Sequence, residues 1–391
     1  MKRSRFGSRA RLTREAEQLT LLATGLSHSG SRVEDRFWDD RLSAQLDRLL
    51  AAGNEDALNT ALDHLYRANS RAYDELADTI EYCVEGGSAT AGGEVFDTLL
   101  IAAPLLAWSR YSIPAGPIPA ETLDNIRVQV GAHVLAGDTR IALADYLFSP
   151  DQLPRTYVDT YRLAQELRDA ALKSNNLHLD PSDLPETAQF LSDMRYVVGL
   201  VAAPRGKAMF RWQEADGTRE NAATQWHAQG GASLQPLLTG CAFELLLPDG
   251  YHAACREADR QARPYSVRAS VLFLKTALNL QPSGLRAVVA PFHEHRLEEY
   301  RIGFTRTDSG DVIHGVVWPM LDSEDDATDT AAQIEAVLRE AGVGEVLMLD
   351  HRFPLEYCDD CGAPLYPNAE GEPVHAELPE EQAEAAPRHL H

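Results

Sequence analysis

Residues 85–93 read Glu-Gly-Gly-Ser-Ala-Thr-Ala-Gly-Gly, and the spacing of apolar residues changes character across them. Before this stretch they recur every three or four positions. Leu12, Ala16, Leu19, Leu22, Ala23 and Leu26 form one such series, then Phe37, Trp38, Leu42, Leu46, Leu49 and Leu50, then Leu58, Leu62, Leu65 and Tyr66, with a fourth over 72–83. That period predicts four amphipathic helices, and connectors as short as Ala52-Gly53-Asn54 make neighbours antiparallel. After the stretch comes TLLIAAPLLAW (98–108). It is too short to cross a bilayer and reads as a buried strand ending near Pro104. With glycines, small residues and no apolar anchor, 85–93 reads as a linker at a domain boundary.

Downstream, the periods alternate. Leu123, Ile126, Val130, Val134 and Leu135 predict a helix, 140–148 a strand and 157–172 another helix, and the polar 175–185 with its two prolines predicts a second linker. Strands are expected at 195–202, 208–213, 243–247, 285–292, 299–305, 312–318 and 345–349, with helices at 266–280 and 328–341. The Gly-containing turn 306–311 joins two of these strands as an antiparallel hairpin. The expected class is therefore mixed α/β (α+β). A basic arm (1–14) precedes a helical region (15–84) and the linker (85–93). Two α/β segments (94–180 and 186–352) lead to a short knuckle (353–379) and a tail (380–391). A strand, turn, helix and strand occur at both 97–148 and 241–292, a plan too common to establish duplication.

With 391 residues the chain exceeds what one hydrophobic core usually supports. Its 44% hydrophobic and 24% charged residues are a globular balance. The first 14 residues hold six Lys or Arg and no acid, but no apolar stretch follows as in a secretory signal, so a cytoplasmic protein is expected. A net charge of −23 repels phosphate backbones and argues against a nucleic-acid surface, the basic arm excepted. A protein partner and no membrane are the expectation.

The segment with the most definite chemistry is Tyr357-Cys358-Asp359-Asp360-Cys361-Gly362-Ala363-Pro364, with His375 beyond it. A C-x-x-C-G turn points both sulfurs the same way and uses glycine for the positive φ of the loop, which suits zinc. Cys358, Cys361 and His375 are the expected metal ligands. A closed site needs a fourth, for which His351, Cys83, Cys241, Cys255, Asp359 or a terminal histidine are candidates. Pro364 and Pro367 stand where a redox dithiol would need a helix, and Asp359 and Asp360 disfavour a free thiolate while favouring a cation.

Phe292-His293-Glu294-His295 ends an apolar strand, where alternation turns His293 and His295 to one side and Glu298 or Glu299 could join them as ligand or base. Gly199 to Ala208 fails as a phosphate loop, having six residues between its glycines and Ala after Lys207. No G-x-S-x-G, H-E-x-x-H or G-x-G-x-x-G occurs. The acidic run 322–329 lacks the glycine and the closing glutamate of a calcium loop.

Residues 30–38 (GSRVEDRFW), 147–154 (LFSPDQLP), 286–292 (RAVVAPF) and 356–367 (EYCDDCGAPLYP) together resemble a bacterial family of cytosolic proteins of unknown function about this long. The resemblance covers the chain and implies no activity, cofactor or partner, so no catalytic residue is carried over. The sequence reading is a non-catalytic binding or regulatory protein with a structural zinc knuckle. Its rival is an enzyme with a site between the two α/β segments near His293 and His295.

Overall fold

The four helices before residue 85 form, each beginning at a polar cap. The computed structural model describes residues 12–321, 324 and 328–378. In it α1 (Arg14–Ser27), α2 (Arg32–Ala51), α3 (Glu55–Ala68) and α4 (Ser70–Glu85) follow one another closely. The side chains of Thr13, Ser31, Asn54 and Asn69 accept from the backbone N–H groups of Ala16, Glu34, Ala57 and Ala72. These caps satisfy amides that a helix start leaves without a carbonyl. Leu19, Leu46, Leu58, Leu76 and Ile80 then meet in one buried core, which Val158 also enters.

Residues 86–91 are a strand rather than a linker. β1 (Gly86–Ala91) turns at Gly92 and Gly93, with φ of +60° and +83°, into the antiparallel β2 (Glu94–Trp108). Two successive positive φ angles are what a tight hairpin requires, so the glycines that suggest a linker belong to a turn. The strand expected to end at Pro104 runs through it. Next come β3 (Gly116–Pro117), α5 (Ala120–His133), β4 (Arg140–Phe148), α6 (Tyr157–Leu172) and β5 (Ser192–Pro204). The chain continues through α7 (Arg219–Gln225), α8 (Gly231–Leu234), β6 (Ala242–Leu245), β7 (Asp249–Gly250) and α9 (Tyr251–Leu278).

The first sheet has the order β1-β2-β5-β4-β3, and β7 and β6 join β1 along the outer edge of β2. Every pairing in it is antiparallel. Pro104 lies at the break between β6 and β7, where its carbonyl accepts from Leu246 N at 2.9 Å. A proline at such a break costs the ladder no donor. One face of the sheet packs on α5, Trp226 and Leu234, and the other on α6 and the first half of α9.

Two further expectations are corrected here. Residues 192–204, placed by sequence in the second α/β segment, form β5 at the centre of the first sheet, paired with β2 from Phe96↔Pro204 to Trp108↔Ser192. Residues 208–213 are not a full strand. Phe210 makes one bridge to Leu135, and a 3-10 turn over Arg211–Gln213 follows, in which the Gln213 side chain accepts from Met209 N and Phe210 N.

The second sheet comprises β8 (Leu285–His293), β9 (Leu297–Arg306), β10 (Val312–Pro319), β11 (Glu345–Met348) and β12 (Phe353–Pro354), with α10 (Thr330–Glu340) between β10 and β11. Its order is β10-β9-β8-β11, and β12 continues along β8. The β9–β10 hairpin is antiparallel as expected, while β11 and β12 run parallel to β8. The second half of α9 and α10 cover one face. At 28 residues, about 42 Å, α9 runs under both sheets. In the stretch 241–292, β6 belongs to the first sheet and β8 to the second, whereas β2 and β4 share one sheet. The two stretches therefore follow different plans. A short pair, β13 (Tyr366–Pro367) and β14 (Pro373–Val374), packs on β10 through Val312 and Val317. The class is mixed α/β, and among the described residues no helix is long and apolar enough to cross a membrane.

Candidate metal centre on the C-terminal turn

The turn closes on itself before it closes on anything else. Tyr357 bridges Pro364, Cys358 N donates to Ala363 O at 2.7 Å, and Gly362 N donates to Cys358 O at 2.8 Å. Gly362 has φ +73°, the left-handed conformation that glycine takes without a Cβ penalty. This geometry gathers the two thiols, and His375, just past β14, completes a group. The ligand atoms of Cys358, Cys361 and His375 all lie within 4.8 Å of one another. Cys361 Sγ and His375 Nε2 are 3.3 Å apart. A tetrahedral zinc with ordinary Zn–S and Zn–N lengths sets that edge at about 3.5 Å.

Two thiols and an imidazole fit a borderline-soft cation. The N–H groups of Cys361 and Asp360 hold the Cys358 thiol below its ordinary value, towards the thiolate a metal needs. The other ring nitrogen of His375, Nδ1, faces Glu377 at 3.6 Å. A carboxylate behind a ligating histidine orients the ring and raises its basicity.

The turn is fixed to the second sheet by a buried arginine and a buried tyrosine. Arg301, on β9 and fully buried, donates through Nη1 to Glu356 O at 2.6 Å and Leu365 O at 2.8 Å, one carbonyl from each arm of the turn. Its Nε donates to Glu299 Oε1 at 2.6 Å, and its guanidinium lies over the rings of Phe292 and Tyr357. Tyr366, also fully buried, rests on Gly315, where a Cβ would stand 2.2 Å from the ring. Gly303, paired with Gly315 across β9 and β10, leaves the same room for the carbonyl of Pro367.

The candidate fourth ligands fall elsewhere. Cys83 is buried in the helical core, Cys241 packs against the core under α5, and Cys255 lies on α9 beneath the first sheet. His351 lies tilted against Phe353, their ring centroids 4.3 Å apart, and Asp359 is exposed outside the group. The terminal histidines, the residues of the basic arm before Leu12 and most of the acidic run 322–329 lie outside the described residues.

The second sequence candidate does not assemble as expected. β8 ends at His293, so strand alternation stops before His295, which is exposed in the bend 294–296. Glu298 pairs with Arg296 at 3.4 Å, and Glu299 is taken up by Arg301. Sequence reasoning passed over Arg301, Tyr366, Gly303 and Gly315. The signal was a glycine in each strand of an expected hairpin, which on pairing leave a bare patch on the sheet.

These features define a mixed α/β protein with a Cys-Cys-His turn clamped to its second sheet. Over residues 4–389 the sequence matches the family described as Protein of unknown function (DUF2863), and the chain belongs to that family. Neither a curated protein nor a solved structure matches it.

Proposed function

We propose that this is a non-catalytic binding or regulatory protein whose C-terminal segment is held by a structural zinc ion on Cys358, Cys361 and His375. The observation that carries the metal reading is the 3.3 Å approach of Cys361 Sγ to His375 Nε2, across 13 intervening residues and inside a three-ligand group. A structural use is supported by the clamp, since Arg301 holds both arms of the turn and a metal adds a third tie, to the segment beyond β14. A binding reading is favoured over the rival enzyme by the separation of His293, half-buried on β8, from His295, exposed in the bend. Such a protein works in the cytoplasm with a protein partner.

Elemental analysis of protein purified without chelators tests the metal. The expected result is about one zinc per chain, lost in Cys358→Ser and Cys361→Ser. Metal-free protein overturns the reading. Turnover of small esters, phosphates or amides that disappears in His293→Ala or His295→Ala overturns the non-catalytic part.

A further inference from the structure

One face of α9 carries Tyr251, Cys255, Asp259, Ala262 and Ser266, a spacing of three and four residues that keeps side chains on one side of a helix. Two hollows open along this face. The first, about 520 Å³, lies where α3, the start of α6 and the start of α9 meet, and is lined by Tyr157, Tyr196 and Tyr251 among others. The second, about 290 Å³, lies between the two sheets and is mostly apolar, with Leu106, Phe190, Ala262 and Tyr265 on its walls. Met194 and Asp259 line both, so the hollows adjoin in one cleft with a carboxylate at its waist. It passes between the sheets, where the rival enzyme site was expected, but on other residues.

The charges along the cleft do not balance. Arg155 is drawn to Asp151 at 3.7 Å, and Arg263 is held by Glu324 at 2.7 and 2.8 Å and by the carbonyl of Pro319. Asp193 is matched by Arg195. Glu55 accepts from Tyr157 N and Val158 N at the start of α6. Asp259 is exposed and has no hydrogen bond or ion pair among the described residues; its surroundings push its carboxyl above the ordinary range, against the opposing pull of the Arg263 charge, whose guanidinium is bound to Glu324. A carboxylate with no hydrogen-bonded partner, beside an apolar hollow and with the nearest cation committed to Glu324, is stabilised by a further cation, and an ammonium brings one with three donors. The apolar walls on one side of it and tyrosine rings on the other suit a molecule with a hydrophobic body.

We propose that this cleft binds a small amine with an apolar body, its ammonium on Asp259 and its hydrocarbon or aromatic part against Leu106, Phe190 and Met194. This deepens the binding reading above without using the metal. Zinc-free protein that binds amines sinks only the structural zinc, and zinc-loaded protein that does not bind them sinks only the cleft.

Calorimetric titration of the full chain with 2-phenylethylamine and n-hexylamine, against 2-phenylethanol and 3-phenylpropanoate, tests it. At least one amine is expected to bind, about tenfold or more tighter than the alcohol, with the carboxylate weakest. Asp259→Asn removes that preference, and Ala262→Trp, which fills the apolar hollow, removes binding with the carboxylate intact. Circular dichroism confirms that each variant is folded. If Ala262→Trp fails to fold, Asp259→Asn, at an accessible position, decides alone. The proposal is overturned if neither amine binds, if alcohol and amine bind alike, or if Asp259→Asn binds as the parent does.

Discussion

Gly315→Ala is the smallest change that tests how the C-terminal segment is seated. In an ordinary strand this substitution costs little or adds stability, because alanine loses less chain entropy on folding than glycine. Here the new methyl would stand 2.2 to 2.3 Å from three atoms of the Tyr366 ring, inside any real contact distance, so the ring must leave its place. Tyr366 is fully buried. Truncating a buried aromatic to alanine costs about 3–5 kcal/mol, and displacing one by a neighbour's methyl is bounded by the same figure. Gly315→Ala and Tyr366→Ala should each lower the free energy of unfolding by a large share of that. The double variant should cost hardly more than Tyr366→Ala alone, since the methyl then meets empty space. The coupling between the two positions is thus several kcal/mol, where independent sites add to within about 0.5 kcal/mol. Chemical denaturation followed by circular dichroism measures all four corners of the cycle. A Gly315→Ala penalty that persists unchanged in the Tyr366→Ala background refutes the account.

Arg301→Leu should destabilise by about 3–5 kcal/mol, because it leaves the Glu299 carboxylate without its partner in a largely buried place and frees the carbonyls of Glu356 and Leu365. Amide hydrogen exchange should speed up first over residues 355–366; unchanged protection there counts against the clamp. Glu85 reports on pH. Burial pushes its carboxyl from 4.5 up to about 7, against the opposing hydrogen bond from His252 N. The folded state therefore binds this proton more tightly than the unfolded state. Its contribution is complete below about pH 4.5 and is lost as pH rises towards 7. Glu85→Gln stays neutral and accepts the same N–H, so its advantage over the parent should grow across that window by on the order of 1–3 kcal/mol. Parallel stability curves would rule this out.

What the sequence made legible follows from how local each signal is. α1 to α4 could be read because their period lies within a few residues, as in Leu58, Leu62 and Leu65. The hairpin at 86–93 could not, since glycine and alanine serve a mobile linker and an edge strand equally, and only pairing with β2 distinguishes them. Pro104 misled for a related reason. Its tolerance depends on Leu246, more than a hundred residues away. The first half of α9 was hidden by Pro264 and by a stripe of small residues, Ala254 and Ala258, that looks polar until Tyr196 and Leu200 pack over it. That Cys358, Cys361 and His375 come together as a group able to hold a metal was legible from spacing alone, because a turn is local and His375 lies one short hairpin away. The clamp was not, because Arg301 reads as a surface cation until Phe292, Tyr357 and two carbonyls close around it.

The outer edge of β2 is covered in three pieces, and they are made far apart in time. β1 emerges from the ribosome just ahead of β2, whereas β6 and β7 follow roughly 140 residues later, on the order of ten seconds at ordinary elongation rates. For that interval the half of β2 around Leu105 and Ala107, among the most apolar segments of the chain, has an open edge of unpaired amides and carbonyls. An open apolar edge is a template for pairing with another chain. Nascent chains stalled before residue 240 are therefore the form of this protein most in need of a chaperone, and releasing them should yield aggregates that chains released after residue 250 do not form.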